Sequence, residues 1–411
     1  MRFDTMSTSL SVICRVGGVL TVFLIGCSLA VAADYDYNVG AYYYPWYGND
    51  NFHGGADTTL RDHLIPKQQP TLGWYDQRAP SVISQHYDWA RYAGVDYFVC
   101  SYWGEGLQED LLMRNYMFDN PDRGNIKLAT FLEPLIGADT VYDEIAHQAQ
   151  NYFNQEGYYK VDGKPVVYVY KTALKDDAYI QNYANLMRQA AADNGYPEIY
   201  IVADEMYGAL PGNSPSRLAG YFDAITGYDF YAQLVEGFGN PTTTAALDLW
   251  DSCNDSWQAA CEAAGLDFIP GITPGFNNRG TGGINSPMPR ILAGSSEFGS
   301  VFEAELLRVL DNTDEDLGRA LMVTSWNEWH EDTQIKPVMG GATTNVDDSD
   351  GGNAYTQGVY YESYGTRYLD ILREHTYMPI PEPPAFALLA TGFISIGALT
   401  IIRRKRHSAR R

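Results

Sequence analysis

At 411 residues, with 28 lysines and arginines against 51 aspartates and glutamates, the chain carries a net charge of −23. That balance excludes a basic face built for nucleic-acid phosphates or anionic lipid. Five cysteines with no CxxC or paired metal-ligand spacing exclude a disulfide framework or a cysteine-based metal site as the organising principle.

The chain opens with Arg2 and Arg15, an apolar run over 19–33 and the small residues Ala30-Val31-Ala32, then turns polar at Asp34-Tyr35-Asp36-Tyr37. Residues 1–33 are expected to form a secretory signal peptide rather than a buried first helix. Leu24-Ile25-Gly26-Cys27 also fits a lipoprotein cleavage box, in which Cys27 would become the lipidated first residue.

From residue 34 to 378 the sequence reads as one domain, with no Pro/Ser linker, charge block or internal repeat before residue 336. Strand-like runs rich in β-branched and aromatic residues occur at 39–47, 95–103, 126–134, 164–172, 199–205, 224–230, 268–276 and 319–326. Helical patterns fall between most of them, at 80–93, 108–118, 140–156, 176–194, 245–265 and 297–311, with another at 360–375. Only the link from 205 to 224 is thin. Alternation of eight strands with helices predicts an α/β fold, a single (β/α)8 TIM-like barrel. A doubly wound sheet is the competing fold, but it wants a Gly-rich phosphate loop after its first strand. Here that strand runs into Tyr43-Tyr44-Pro45-Trp46-Tyr47-Gly48.

Barrel active sites sit where the strands end. Strand 1 ends in Tyr44, Trp46 and Tyr47, strand 2 in Tyr102, Trp103 and Glu105, and strand 3 in Glu133. Strand 5 supplies Asp204 and Glu205, and strand 6 Tyr228, Asp229 and Tyr231. Rings stack on the apolar faces of sugars while carboxylates and amides take their hydroxyls, so the collection is suited to a saccharide.

The densest cluster follows the last strand, in Thr324-Ser325-Trp326-Asn327-Glu328-Trp329-His330-Glu331-Asp332-Thr333-Gln334. Packing alone asks for no such combination. Cleavage of a glycosidic bond needs one carboxylic acid to protonate the departing oxygen and a second group supplying electrons near the anomeric carbon. Glu328 and Glu331 are three apart, a spacing that places both at one substrate from a loop or a single helical turn. Mutual repulsion and burial against Trp326 and Trp329 are expected to raise the pKa of one of them.

These motifs resemble glycoside hydrolase family 99, the endo-α-1,2-mannosidases and mannanases, and the related domains of bacterial polysaccharide loci. The resemblance runs from Tyr42-Tyr43-Tyr44-Pro45-Trp46-Tyr47-Gly48-Asn49 through Thr130-Phe131-Leu132-Glu133-Pro134. It continues through Gly163-Lys164-Pro165-Val166-Val167-Tyr168-Val169-Tyr170 and Phe268-Ile269-Pro270-Gly271-Ile272-Thr273-Pro274-Gly275. It is strongest over 324–335. It implies a retaining mechanism without an enzyme nucleophile, through a 1,2-anhydro sugar. In that scheme Glu328 is the base on the sugar's 2-hydroxyl and Glu331 the general acid/base. Tyr44, Trp46, Tyr47, Trp103, Glu133, Tyr228, Asn327, Trp329 and His330 are the expected sugar-binding residues. Two departures stand out: Phe131 where relatives carry histidine, and Asp332 where the motif usually has glycine. Both bear on substrate more than on reaction class.

Beyond the barrel, Pro381-Glu382-Pro383, an apolar segment over 385–402 and Arg403-Arg404-Lys405-Arg406 follow in order. Eighteen apolar or small residues suffice for a bilayer span with a cytoplasmic basic cluster. An ordinary single-span anchor fits. The order also resembles the PEP-CTERM sorting signal, which implies exosortase processing of residues 379–411 and an exported body, extracellular or at the cell surface. The two ends hold eight of the basic and two of the acidic residues, so residues 34–380 carry 20 against 49, a net of −29. Such a body suits neutral polymers.

No metal or other cofactor is expected. His53, His63, His86, His147, His330 and His375 show no HxH or HExxH spacing. His63 is placed to reach the cleft from the first loop or to remain a loop residue. The 347–353 stretch Asp-Asp-Ser-Asp-Gly-Gly-Asn is rich in oxygen ligands but lacks the EF-hand spacing and distal glutamate. The leading reading is an exported endo-acting glycoside hydrolase for α-mannoside-like linkages. A non-catalytic glycan-binding or matrix protein and a polysaccharide-assembly factor on the same barrel are the alternatives.

Overall fold

A computed structural model of the protein describes residues 37–48, 54–134, 136–205, 215–228 and 242–376. The expected signal peptide, the sorting segment and its apolar helix, Asp229 and Tyr231 lie outside the described residues.

In chain order the strands are β1 (Asn38–Tyr43), β2 (Gln68–Pro70), β3 (Val95–Tyr102), β4 (Lys127–Leu132), β5 (Lys160–Val161) and β6 (Lys164–Val169). They continue as β7 (Tyr200–Asp204), β8 (Ala224–Thr226), β9 (Asp267–Ile269), β10 (Gly271–Ile272), β11 (Ala320–Val323) and β12 (Val338–Gly340). The barrel runs β10-β11-β1-β3-β4-β6-β7-β8-β9 with every pair parallel. β9 and β10 are two halves of one stave. Pro270 between them has no N–H to give a neighbour, though its carbonyl still accepts from Met322 N at 2.9 Å. Counted that way, the nine segments are the eight expected staves. Two short antiparallel additions carried no periodic signal: β5 on β6, and β2 with β12 outside the barrel.

The helices are α1 (Leu60–His63), α2 (Pro80–Ala93), α3 (Gln108–Leu112), α4 (Val141–Asn151), α5 (Asp177–Asp193), α6 (Thr244–Ala264), α7 (Ser300–Val309) and α8 (Arg367–Thr376). Their ends follow local chemistry. α2 begins on a proline, whose missing N–H costs nothing at a helix start, and ends on Gly94 at φ 80°. Asp176 caps α5 by accepting from Tyr179 N at 2.9 Å, and Thr243 caps α6 by accepting from Ala246 N at 3.1 Å. α3 widens into a π turn at Met113–Met117, and α8 is shorter than the expected 360–375 helix. Cys253 and Cys261 lie on the unbroken α6 and are free thiols, as is the buried Cys100.

Barrel strands are buried on both faces, as a parallel sheet covered by helices must be. Tyrosine rings fill the barrel's centre. The Tyr97 and Tyr168 hydroxyls meet at 3.2 Å, and Tyr97 Oη lies 3.4 Å from Met322 Sδ. Gly40 on β1 makes room for them: a Cβ there would sit 2.4 Å from the Tyr97 ring and 2.5 Å from Met322 Sδ. Gly40→Ala is therefore expected to destabilise the fold by about 1–3 kcal/mol through overpacking. Chemical-denaturation midpoints check this; an unchanged midpoint contradicts the packing account.

Candidate active site

The site is built on the turn that leaves β11. Its backbone is stitched to the neighbouring stave, with Trp326 N donating to Tyr42 O at 2.8 Å. The Asn327 side chain completes the join: its Oδ1 accepts from Tyr44 N at 2.8 Å and its Nδ2 donates to Tyr44 O at 2.9 Å. Ser325 closes the turn internally. Its Oγ accepts from Glu328 N at 2.8 Å and lies 2.9 Å from Thr333 Oγ1, while its backbone pairs with Thr333 and Ile335. The peptide between Thr324 and Ser325 is cis.

On this scaffold Glu328 is buried, and its Oε1 accepts from His330 N at 2.8 Å, with His330 Nδ1 at 3.1 Å. Glu331 is half-buried, and its Oε2 accepts from the Tyr228 hydroxyl at 3.1 Å. Tyr228 in turn accepts from Tyr44 Oη at 2.5 Å, so a tyrosine pair bridges the end of β1 to Glu331. Burial pushes the Tyr44 hydroxyl well above the usual phenol range, and the charges of Glu133, Glu328 and Glu331 push it further. Three carboxyl groups thus converge on one hydroxyl. Outside the Glu328/Glu331 pair, where a raised carboxyl is expected, the Glu133 carboxyl is pushed up to about 8. Burial is the main cause, reinforced by Glu328 and Asp204 and opposed by a hydrogen bond from Ser101 and the charge of Lys171. Glu133 borders a cavity of about 130 Å³ with largely apolar walls, including Leu132, Ile136, Leu174 and Ile180.

Trp46 and Trp103 are the half-buried rings of the site, their centroids 6.1 Å apart. Both indole N–H groups point at Ser101 Oγ, at 3.1 and 2.9 Å. Ser101, which no sequence motif singles out, therefore joins both tryptophans to Glu133. His330 lies between rings, 6.2 Å from Trp46 and 5.9 Å from Tyr47.

Tyr47, Asn327 and Trp329, expected to touch sugar, are fully buried and placed beneath the surface as braces. Trp329 N donates to Tyr47 Oη at 3.1 Å and Trp329 Nε1 to Tyr75 Oη at 2.9 Å. Asp204 and Glu205 also serve the frame. Asp204 accepts from Tyr228 N and Lys171 N, and Glu205 pairs with Arg217 at 2.7 Å. Phe131 is buried against Tyr42, Tyr170 and Tyr228, so this wall of the site is apolar.

His63 has both ring nitrogens engaged, by Asp348 at 2.9 Å and Asp57 O at 2.8 Å, and stacks on Tyr355. Asp347 accepts from Ser349, Tyr355 and Thr356 backbone N–H groups, which makes it the hub of its loop. Among the described residues no group of three or more His, Cys, Asp or Glu is placed to hold a metal.

Residues 34–374 match the sequence model of glycosyl hydrolase family 99. The chain is 26% identical over 352 residues to glycoprotein endo-alpha-1,2-mannosidase of Mus musculus, covering 76% of this chain and 70% of that one. It is 25% identical over 342 residues to a mouse glycoprotein endo-alpha-1,2-mannosidase-like protein, covering 73% and 69%. Among solved structures it is similar to the endo-alpha-mannosidase of Bacteroides thetaiotaomicron, with a TM-score of 0.58 at 20% identity, over 84% of this chain and 99% of that one.

The raised Glu133 carboxyl has a measurable consequence. Folded, it keeps a proton up to about pH 8 that the unfolded chain releases near pH 4.5. Its contribution to stability is therefore lost as pH rises through that window and is not regained above it. Glu133→Gln is expected to match the parent near pH 4 and to exceed it at pH 9, by at most about 5 kcal/mol. Urea midpoints across pH decide this; parallel profiles contradict it.

Proposed function

The chain belongs to glycosyl hydrolase family 99, and from that premise we propose that it is a retaining, endo-acting hydrolase of α-mannoside-like linkages in a polysaccharide or glycan. The observation that carries the reading is the pairing of Glu328 and Glu331 on one braced turn, each gripped by a different partner. Glu328 is held by His330 through Oε1, which leaves Oε2 for a substrate hydroxyl. Glu331 accepts from the Tyr228 hydroxyl through Oε2, which orients the carboxyl that donates the proton.

In this mechanism the Glu328 carboxylate takes the proton of the sugar's 2-hydroxyl. O2 then attacks the anomeric carbon from the face opposite the leaving group. The C1–O bond breaks and its electron pair takes the Glu331 proton, releasing one part of the glycan and leaving a 1,2-anhydro sugar. Glu331, now a carboxylate, removes a proton from water as that water attacks C1. The epoxide C1–O2 bond opens and O2 recovers its proton from Glu328. Two inversions at C1 give net retention. The Tyr44–Tyr228 pair holds Glu331 through both proton transfers, and the half-buried Trp46 and Trp103 supply apolar faces for sugar stacking.

Phe131 offers no hydrogen bond to a bound sugar, which favours a glycan that differs in substituent or stereochemistry from those the named mannosidases act on. Site of action rests on the ends of the chain: the signal-like 1–33 and the PEP-CTERM-like 379–411 support export and processing by an exosortase. Recovery of the protein solely from the cytoplasmic fraction of its own cells would contradict that placement.

Glu328→Gln and Glu331→Gln are each expected to lower kcat/KM by about 10³-fold or more on a cleaved glycan, with the fold intact. The assay compares an α-1,2-linked mannan fragment with a panel of other α-linked polysaccharides. Wild-type rates in either variant, or glycan binding with no turnover on the whole panel, would defeat the reading.

A further inference from the structure

Directly after Glu331 the backbone turns into the left-handed region, at Asp332, with φ 49°. Glycine adopts that conformation freely; an aspartate there is strained unless its surroundings hold it. The surroundings do. Asp332 Oδ1 accepts from Arg61 Nε at 2.6 Å and Gln334 Nε2 at 2.9 Å, and Oδ2 from Arg61 Nη2 at 3.1 Å and Arg290 Nε at 3.3 Å. The main-chain oxygen of Asp332 accepts from Arg290 Nη2 at 2.5 Å. All three charged groups are buried, and the guanidiniums lie over Tyr361, Tyr364 and Tyr368. The preceding carbonyl, that of Glu331, accepts from Asn277 N at 2.6 Å.

We propose that Asp332 is a positioning residue for Glu331, acting through a buried clamp with Arg61 and Arg290. The proposal rests on Glu331 being the general acid/base. Two successive carbonyls, of Glu331 and Asp332, are pinned by donors from the 276–290 segment. The Asp332 side chain is pinned by that segment and by α1, through Arg61. Arg61 is itself fixed by Gln68 and by Glu362 O at 2.9 Å. A glycine would satisfy the backbone with none of this. Burying two arginines and a carboxylate is a poor way to gain stability, since apolar packing serves as well. What the clamp supplies is a Glu331 main chain unable to drift, where a displacement of about 1 Å costs on the order of 10²-fold in rate.

The test separates positioning from folding by the leaving group. Departure of fluoride needs no protonation, so kcat/KM on an α-glycosyl fluoride does not depend on the acid, whereas a sugar leaving group does. Arg61→Lys and Asp332→Asn are compared with Glu331→Gln on an α-1,2-linked manno-oligosaccharide and on the matching disaccharide fluoride. Both clamp variants are expected to lose about 30-fold in kcat/KM on the oligosaccharide, with KM within about twofold, and less than about threefold on the fluoride. Equal losses on both substrates, or none on either, overturn the proposal. So does an Arg61→Lys variant too unstable to assay, since the clamp is then a folding device. A fully active Glu331→Gln sinks the acid/base assignment itself, a failure distinct from that of the clamp.

Discussion

The join between Asn327 and Tyr44 is the contact on which the rest of the site depends. One side-chain amide takes the N–H and gives to the carbonyl of a single residue, so the turn after β11 and the end of β1 have one relative position. β11 and β1 are adjacent staves already, paired from Asn38–Ala320 to Ala41–Val323. Their ladder ends where the pleat gives way to the turn, and the amide carries the pairing beyond it. Tyr44 then aims its hydroxyl at Tyr228, and Glu328 and Glu331 follow from the same turn. Without that join the carboxyls would hang from a loop; with it they extend the barrel wall.

Beneath the turn, aromatic residues do two jobs that the sequence does not separate. Tyr42, Phe131 and Tyr228 close the barrel's upper interior ring against ring, with Tyr42–Phe131 at 4.8 Å and Tyr42–Tyr228 at 4.9 Å. Trp329 and Tyr75 form a second tier, under which the Lys336 ammonium sits 3.2 Å from the Tyr75 ring centre, fully buried. Burial drives that lysine's pKa well below its usual value. Among the described residues, Trp46 and Trp103 are half-buried rings left to face a ligand. The stiffness of the floor is what allows charged groups to be held close together, since closely packed interiors transmit displacement rather than absorb it.

Much of this was legible in advance, and the reasons are specific. The staves read clearly because two-sided burial demands continuous apolar runs, and even Pro270 interrupts only one of them. Glu328, Glu331 and the β1 rings stood out because they follow strands without any packing need. What sequence could not separate was which rings face outward. Trp46 and Trp329 look alike in the chain, yet one is half-buried and the other wholly enclosed. Nor did proximity in sequence locate the raised carboxyl. Repulsion and burial were expected to raise one of the Glu328/Glu331 pair, whereas Glu133, on a different stave, is raised to about 8 with desolvation the main cause. Asp332 was visible as a departure from glycine, but its partners Arg61 and Arg290 lie 271 and 42 residues away, beyond any local pattern.

The central claim is that Glu328 acts on the substrate's own 2-hydroxyl rather than on the anomeric carbon. The direct measurement follows, by proton NMR, the cleavage of an α-linked manno-oligosaccharide and of its analogue lacking the 2-hydroxyl at the reacting sugar. The account predicts an α-configured first product from the parent and no cleavage of the 2-deoxy analogue at any enzyme concentration that still binds it. Cleavage of the 2-deoxy analogue with retained configuration would contradict it, because an enzyme nucleophile would then be attacking the sugar directly.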